Sequence, residues 1–293
     1  MILVTGATGN IGRELVHWLA LRKREFKVMA RTREARDAFR AKDIHCVHGD
    51  FDDPATFEGA LAGVRSVFLV TPPRPDGVDL EYKFLEVCQE KEVGHVVRIS
   101  ALGASPWATS ALLRHHGRCE AQLEDCGVPW TLLRPTLFMQ NLAPMFGPGV
   151  ARNSTLYATL GDARVPWLDA RDIAMVAGAV LTSEGHEGLV YDLTGPEALT
   201  FDQVAEELSR QQGRKISYCD VPDAAAYQAI VQGTGSSWLA EGLISLYHQF
   251  RANGATAQVL GTVERLTGHA PRTLAAYLLE HAAAFRALEP ATL

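Results

Sequence analysis

Three glycines near the start of the chain have the spacing of a turn that binds a pyrophosphate. Gly6, Gly9 and Gly12 form the pattern G-x-x-G-x-x-G between a short apolar strand and a helical pattern. The first allows a tight turn, the second lets backbone approach a phosphate, and the third lets helix and strand pack closely. Free N–H groups at the start of that helix favour an anion. Because a strand precedes it and a helix follows, the motif predicts a dinucleotide site rather than an ordinary turn.

A basic residue at the end of the second predicted strand indicates which dinucleotide binds. Arg31 directly follows Phe26–Ala30, and Arg33 and Arg36 stand close behind it. An acidic residue at this point accepts hydrogen bonds from the ribose 2′-OH of NAD, whereas a basic residue suits a 2′-phosphate. The sequence therefore favours NADP(H), with NAD(H) still open. The alternative for this basic stretch is a solvated helix start.

The composition is that of a globular protein and argues against several classes of partner. Of the 293 residues, 47% are apolar and 21% charged, and the net charge is −6, so the chain can bury a large core. The chain has no long basic tract of the kind that binds nucleic acid. It also has no apolar run that approaches the roughly 20 residues of a membrane span. We therefore expect the protein to bind neither nucleic acid nor a membrane. We also expect no signal peptide and a cytoplasmic location.

The histidines and cysteines give no sign of a metal site. The sequence holds ten histidines and five cysteines, and none of them follows an H-E-x-x-H, C-x-x-C or zinc-finger spacing. We therefore predict no bound metal and expect the cysteines to be reduced thiols.

Short apolar runs alternate with helical patterns along the first two-thirds of the chain. This alternation predicts an α/β fold, a Rossmann-type doubly wound parallel sheet with helices on both faces. The predicted strands are 2–5, 27–30, 44–48, 66–70, 95–99, 131–134 and 190–193, and the predicted helices include 54–61, 80–91 and 115–126. Thr200 is predicted to cap a further amphipathic helix.

The second half of the chain is mostly helical in pattern and is predicted to cover the substrate. We divide the chain into a dinucleotide-binding domain, 1–150, and a mixed region, 151–293, whose strand near 190–193 returns to the main sheet. Open α/β sheets bind ligands at the carboxyl ends of their strands, so the second region is expected over that edge. Residues 139–149, rich in Gly and Pro, are predicted to form an active-site loop.

Four motifs together resemble the NmrA-like group of atypical short-chain dehydrogenases/reductases. They are VTGATGNIG at 4–12, GDF at 49–51, LLRP at 132–135 and TGHAPRT at 267–273. This group includes quinone oxidoreductases and triphenylmethane-dye reductases, so the resemblance implies an NAD(P)H-dependent reductase. Besides the three glycines, it implies that the cofactor is contacted by Thr8, Asn10, Ile11, Arg31, Asp50, Phe51, Val70, Thr71 and Pro135. For Asp50 the alternative is a turn cap, and for Phe51 a core position.

The chain departs from the wider superfamily at the catalytic positions. Such reductases carry a Tyr-x-x-x-Lys pair, but if Glu120 matches the glutamate that commonly follows the lysine, these positions are Leu112 and His116. His116 is therefore a candidate catalytic residue, either as a ribose ligand or as a proton donor titrating near neutral pH. Ser100, at the end of the fifth strand, could bond a substrate oxygen. The alternatives are an exposed helix histidine and a capping serine.

Without the tyrosine, the chemistry favours particular acceptors of hydride. A simple ketone develops a basic alkoxide and needs an acid, whereas a quinone or dye spreads the charge over a conjugated system. We therefore predict a planar aromatic or quinone-like acceptor, possible examples being aromatic polyketides whose own phenol supplies the proton. The expected substrate wall comprises Trp107, His115, Phe138, Met139 and Tyr157.

A second class of function is compatible with the same residues. Some NmrA-like proteins sense NADP(H) and act through a protein partner, and the loss of tyrosine and lysine fits that role equally. An enzyme needs an open apolar cleft beside the nicotinamide, whereas a sensor does not. The long apolar segments after the strands favour the enzyme. A homodimer is compatible with the apolar helix faces.

Overall fold

A parallel sheet of seven strands forms the centre of the fold in the computed structural model, which describes residues 1–252 and 257–287. In chain order the strands are β1 Ile2–Val4, β2 Phe26–Ala30, β3 Cys46–His48, β4 Ser66–Leu69, β5 His95–Ile99, β6 Trp130–Pro135, β7 Thr155–Ala158, β8 Leu189–Leu193 and β9 Ser217–Asp220. The sheet order is β3-β2-β1-β4-β5-β6-β8, and β7 pairs with β9 separately. This is the Rossmann order with one added strand, so the predicted fold class is confirmed.

Helices connect the strands and make up most of the remainder. They are α1 Asn10–Leu21, α2 Arg33–Arg40, α3 Phe57–Leu61, α4 Gly77–Glu90, α5 Ala111–Asp125, α6 Leu142–Asn153, α7 Ala170–Thr182, α8 Phe201–Gln212, α9 Asp223–Thr234, α10 Ser237–Ala252, α11 Thr262–Thr267 and α12 Leu274–Glu280. Short 3-10 turns occupy Pro54–Thr56, Met139–Asn141 and Ala282–Phe285. The predicted helix at 115–126 therefore begins four residues earlier, and the helix at 80–91 begins three residues earlier.

The strands bury both faces, as the near-continuous apolar runs require. Ile2 and Val4 face a core shared with α1 and α7, whereas Leu3 faces a second core shared with α3 and α4. Successive side chains of a strand point to opposite faces, so one three-residue strand supplies both cores. The sheet is therefore held from two sides, and its carboxyl edge is left free for a site.

A second lobe packs around its own core beyond the sheet. Side chains of α6, α8, α10 and α12 meet those of β7 there. Thr200 begins α8 in a capping box, as predicted: its hydroxyl accepts from the Gln203 amide at 3.3 Å, and the Gln203 side chain accepts from the Thr200 amide at 3.0 Å. The boundary predicted at residue 150 lies within α6.

The TGHAPRT motif joins the second lobe to the first. Thr273 caps α12, and the neighbouring Arg272 amide donates to Asp172 Oδ2 at 2.8 Å on α7. The Arg272 guanidinium also donates to Asp172. Because α7 packs along α1, this pair fixes the C-terminal helices against the nucleotide-binding half.

The prediction of a loop at residues 139–149 is wrong. The segment forms a 3-10 turn and then α6, which includes Pro148. A Cβ at Gly147 would lie 2.9 Å from the Ala284 carbonyl oxygen, and one at Gly149 would lie 2.7 Å from that of Thr155. The glycines therefore serve close backbone approach between segments, and their presence does not mark the end of the helix.

The part of the chain that the structure describes contains neither a membrane-spanning helix nor a cluster of metal ligands. Within 1–252 and 257–287, no helix has the length and apolar character needed to cross a bilayer. Among the same residues, no three His, Cys, Asp or Glu side chains gather in a way that could hold a metal ion.

Candidate functional site

Two neighbouring cavities lie at the carboxyl edge of the sheet. The outer cavity, of about 380 Å³, extends from the glycine turn to the ends of β2 and β4. The inner cavity, of about 210 Å³, lies beyond the ends of β5 and β6. Pro72 and Arg74 line the outer cavity and Pro73 lines the inner one. One loop after β4 therefore borders both cavities, as a ligand that spans them would require.

The glycine turn has the geometry that its spacing predicts. Gly6 adopts a φ of +58° and accepts a hydrogen bond from the Gly9 amide at 2.9 Å. A Cβ at Gly12 would lie 2.2 Å from the Gly6 carbonyl oxygen, so no larger residue fits there. Asn10 begins α1, directly beyond the turn. The N-terminus of this helix is thus available to a phosphate.

The outer cavity brings together most of the residues expected to contact a cofactor. The expected residues that line it are Gly6, Thr8, Arg31, Asp50, Phe51, Val70 and Thr71. Ile11 instead belongs to the core beside α1. For Phe51 both interpretations hold, since it lines the cavity and packs edge-on against Phe57, with ring centroids 5.6 Å apart. Asp50 likewise lines the cavity and accepts from the Asp52 amide at 3.0 Å.

Two arginines face one acidic side chain at the rim of the outer cavity. Arg74 contacts Asp52 at 2.7 Å and donates to both oxygens of Asp76, at 2.6 and 2.7 Å. Arg31 lies 3.7 Å from the other oxygen of Asp52. Sequence reasoning missed Arg74, because nothing in the Pro-rich loop after β4 indicates that it folds back toward the end of β2.

The inner cavity is mainly apolar and is enclosed by both lobes. Its floor is formed by the ends of β5 and β6 with α5, and its roof by one face of α10. The main lining residues are Ser100, Leu112, Leu113, His116, Pro135, Thr136, Phe138, Leu239, Leu243, Leu246 and Phe250. The four α10 side chains were also missed, because an apolar helix face is the same in sequence whether it fills a core or covers a cavity.

Helix α10 lies directly against α5. A Cβ at Gly242 would approach Leu112 Cγ to 2.6 Å, and Ser110 Oγ donates to the Gly242 carbonyl at 2.9 Å. The absence of a side chain at Gly242 therefore allows the contact. Leu112 and His116, the positions at which the resemblance predicts tyrosine and lysine, both line the cavity beneath this helix.

A buried ion pair stands behind His116. Arg98 and Glu81 are fully buried and form two hydrogen bonds, one of them at 3.3 Å. Thr71 Oγ1 donates to Glu81 at 2.5 Å, and Arg98 Nη1 donates to the Ile99 carbonyl at 3.1 Å. Arg98 Nη1 also lies 3.4 Å from His116 Nδ1. The pair thus connects the end of β4 to α5.

The surroundings of His116 keep its ring neutral. Burial lowers the pKa of His116 well below its ordinary value, and the positive charge of Arg98 lowers it further. The expectation that this histidine titrates near neutral pH is therefore wrong: near pH 7 the ring carries a single proton. Burial also lowers the pKa of His115, which packs against Trp238 behind the cavity.

Two hydroxyl groups reach the inner cavity in different states. Ser100 Oγ donates to Glu120, whose carboxylate also accepts from Arg134 at 2.6 and 2.8 Å. The Ser100 proton is therefore engaged, and toward a ligand this oxygen can only accept. Thr136 is 5% exposed, and its Oγ1 has no hydrogen-bond partner among the described residues. The Oγ1 atom is itself buried, so its lack of a partner does not identify a ligand.

Of the predicted substrate wall, the structure brings only Phe138 to the inner cavity. Trp107 is 90% exposed, and Tyr157 is 43% exposed on β7, where its hydroxyl accepts from Asn153 at 3.3 Å. Met139 is buried in the core of the second lobe, and His115 lies behind the cavity wall. Trp107 and Met139 follow strand ends in sequence, but the segments after those strands direct them away from the inner cavity.

Comparison with known proteins agrees with this architecture. The sequence matches the NmrA-like family over residues 1–278, and the chain belongs to that family. It is 37% identical over 287 residues to an NAD(P)H azoreductase of Xenophilus azovorans, covering 98% of this chain and 100% of the relative. Identity is also 37%, over 288 residues, to the (4-alkanoyl-5-oxo-2,5-dihydrofuran-3-yl)methyl phosphate reductase of Streptomyces griseus, with 97% and 99% covered.

A solved structure of an Escherichia coli enzyme has the same fold. It is the NADPH-dependent quinone oxidoreductase QOR2 complexed with NADPH, with a TM-score of 0.85 and 26% identity. The alignment covers 97% of this chain and 100% of that chain. The similarity therefore extends over both lobes.

Proposed function

We propose that this protein transfers hydride from NADPH to a planar, electron-poor conjugated acceptor bound in the inner cavity. The family and the relatives show that the protein is an NAD(P)H-dependent reductase of the quinone oxidoreductase and azoreductase kind. The class of acceptor is proposed from one observation: the apolar inner cavity directly adjoins a glycine-lined cleft suited to a dinucleotide.

The outer cavity fits NADPH through features of its own. The side-chain-free turn from Gly6 to Gly12 and the start of α1 would hold the pyrophosphate. Arg31, with Arg74 beside it, would hold the 2′-phosphate, since both guanidinium groups line or border that cleft. Bound there, NADPH supplies the hydride. The residues of the chain orient the acceptor and exclude water from it.

The proposed class of acceptor follows from what the inner cavity offers. Among its described lining residues are a serine, a threonine, an asparagine and a histidine, but no tyrosine or lysine. An isolated ketone would require a strong proton donor as its alkoxide develops. A quinone, an azo bond or an unsaturated carbonyl instead spreads the added charge, and solvent can provide the proton afterwards.

The named activities of the relatives support this class. An azoreductase acts on a nitrogen–nitrogen double bond, and the name of the Streptomyces griseus enzyme describes an unsaturated lactone bearing an alkanoyl group. The name of the Escherichia coli enzyme specifies quinones. These acceptors differ in size and atoms, but all are conjugated. An aromatic polyketide, a cytoplasmic location and a homodimer stay predictions from the sequence.

The regulator considered as an alternative would not require an open inner cavity. The volume of about 210 Å³ beside the cofactor cleft therefore supports the enzyme. A direct test mixes protein and NADPH with menadione, an azo dye or cyclohexanone and follows the absorbance of reduced nicotinamide. We expect consumption with menadione or the dye and none with the ketone. No consumption with any conjugated acceptor would refute the proposal.

A variant that fills the inner cavity separates catalysis from cofactor binding. Leu243→Trp adds an indole to the α10 face that lines the cavity, so we expect turnover to fall at least about tenfold while NADPH binding is kept, since the ring competes with the acceptor for space. Leu279→Trp, at an exposed position on α12, is the matched control and should keep full turnover. Equal turnover by both variants would contradict the assignment of this cavity to the acceptor.

A further inference from the structure

We propose that Arg98 holds His116 in the tautomer protonated at Nε2, so that the neutral ring donates a hydrogen bond to the acceptor in the inner cavity. Arg98 is thus a positioning residue, and His116 is the group that contacts the substrate. The identity of the acceptor rests on the proposed function; the tautomer rests on the structure alone.

The tautomer follows from the hydrogen-bonding capacity of the two side chains. A guanidinium group only donates, and it keeps its protons at any pH that a protein tolerates. Arg98 Nη1 lies 3.4 Å from His116 Nδ1. If Nδ1 carried a proton, two donors, Arg98 Nη1 and His116 Nδ1, would face each other. Nδ1 must therefore be the unprotonated acceptor. In a neutral imidazole the single proton then resides on Nε2.

Arg98 is itself fixed before a ligand arrives. Glu81 holds its guanidinium by two contacts, the Ile99 carbonyl accepts from Nη1, and Thr71 donates to Glu81. Both partners of the ion pair are buried, and removal of either would leave an uncompensated charge in the interior. Because Arg98 is already rigid, little free energy is needed to orient the His116 ring during the reaction.

The opposite edge of the ring is available to a ligand. His116 lines the inner cavity, and among the described residues Nε2 has no hydrogen-bond partner. The charged and titratable groups beside the ring are Arg98 and His115, and Glu81 and Cys119 in turn adjoin Arg98. The low pKa of His116 keeps the ring neutral, so it donates without losing its proton.

The chemical step balances without proton transfer from the histidine. Hydride from NADPH forms a bond to the acceptor, whose double bond shifts its electron pair to a distant oxygen or nitrogen. The NADPH ring is oxidised and the acceptor reduced by two electrons. His116 Nε2–H stabilises the resulting negative charge by hydrogen bonding, and water then supplies the proton.

The first test reads the tautomer without using activity. In protein labelled with ¹⁵N at histidine, the ring nitrogens of His116 are assigned by comparison with His116→Gln. We expect Nε2 to be protonated and Nδ1 unprotonated from pH 6 to 8, and Arg98→Lys, which keeps a charged donor, to preserve this form. Protonation at Nδ1, or titration within that range, would overturn the proposal.

The second test reads the hydrogen bond to the acceptor. His116→Leu removes the donor and should lower kcat with a conjugated acceptor about 10- to 100-fold, at the low end of the loss caused by deleting an oxyanion donor. His116→Gln, which retains an N–H, should recover part of the rate. The Kd for NADPH should remain unchanged in both.

The outcomes separate the two proposals. Wild-type kcat in His116→Leu, or a loss confined to NADPH binding, would overturn the role of His116 and leave the reductase intact. If the wild-type protein reduces no conjugated acceptor, the proposed function fails, while the labelled spectra still decide the tautomer.

Discussion

Arg31 and Arg74 approach the same carboxylate, Asp52, from opposite directions. Without a bound phosphate, this side chain balances part of their charge. A 2′-phosphate would bring two negative charges toward the same two cations. Under the proposed assignment of this rim to the 2′-phosphate, we expect Asp52 and the ligand to compete for the two arginines.

Substitution of the arginines tests this assignment. Arg31→Asp should weaken binding of NADPH far more than that of NADH, because it replaces a cation facing the 2′-phosphate with an anion. Arg74→Gln should weaken NADPH selectively but to a smaller extent, since Arg31 remains. Titration of cofactor fluorescence measures both affinities. An unchanged NADPH-to-NADH ratio in Arg31→Asp would refute the cofactor assignment.

The sequence predicted Arg31 but not Arg74, and the difference has a physical origin. Arg31 directly follows a strand, so the direction of the sheet alone brings it to the cleft. Arg74 reaches the cleft because its loop folds back to Asp52. These two residues are distant in sequence, so their contact leaves no local pattern. His116 was found through the resemblance, but its lowered pKa comes from its own burial and from the charge of Arg98, neither of which the sequence shows.

At the scale of elements, the contact between α5 and α10 determines the shape of the inner cavity. Gly242 allows that contact, and Leu112 fills the space beneath it. The helical pattern of α10 predicts an apolar face but not which helix it covers. In the same way, Gly147 and Gly149 predict a loop in a segment where the structure has a tightly packed helix.

A methyl group at Gly242 should disturb this contact. Gly242→Ala places a Cβ 2.6 Å from Leu112 Cγ, so either α10 or the Leu112 side chain must shift. We expect a loss of stability of about 1–3 kcal/mol from overpacking and a raised KM for the acceptor, with the NADPH Kd unchanged. Urea unfolding and steady-state kinetics measure these effects.

Gly233 on α9 provides the matched control for that substitution. No atom lies within 4 Å of a Cβ built there. Gly233→Ala should therefore leave the KM unchanged and add up to about 1 kcal/mol of stability, since alanine favours helix over glycine. An unaltered KM and stability in Gly242→Ala would mean that the two helices are not held as closely as described.

At the scale of the whole molecule, buried histidines make stability depend on pH. Burial lowers the pKa of His95, His115 and His116 below the ordinary value of 6.5. The unfolded chain binds protons at the ordinary pKa, whereas the folded chain does not. The stability from these groups is therefore present above about pH 6.5 and is lost as the pH falls.

Urea unfolding at pH 8 and pH 5.5 measures this dependence. Each of the three histidines should contribute at most about 1.4 kcal/mol per pH unit below 6.5. His116→Gln should reduce the slope. A slope that is the same in wild type and His116→Gln would show that the folded protein binds a proton at His116 as readily as the unfolded chain.

The roof of the inner cavity belongs to one helix of the second lobe, and its floor belongs to the sheet. Under the proposed function, the choice of acceptor and the delivery of reducing equivalents fall to separate parts of the chain. We then expect a few substitutions along one surface of α10 to alter which molecules are reduced without changing the nucleotide cleft. Evolution of this fold toward a new acceptor then requires no change in the transfer of hydride from the nucleotide.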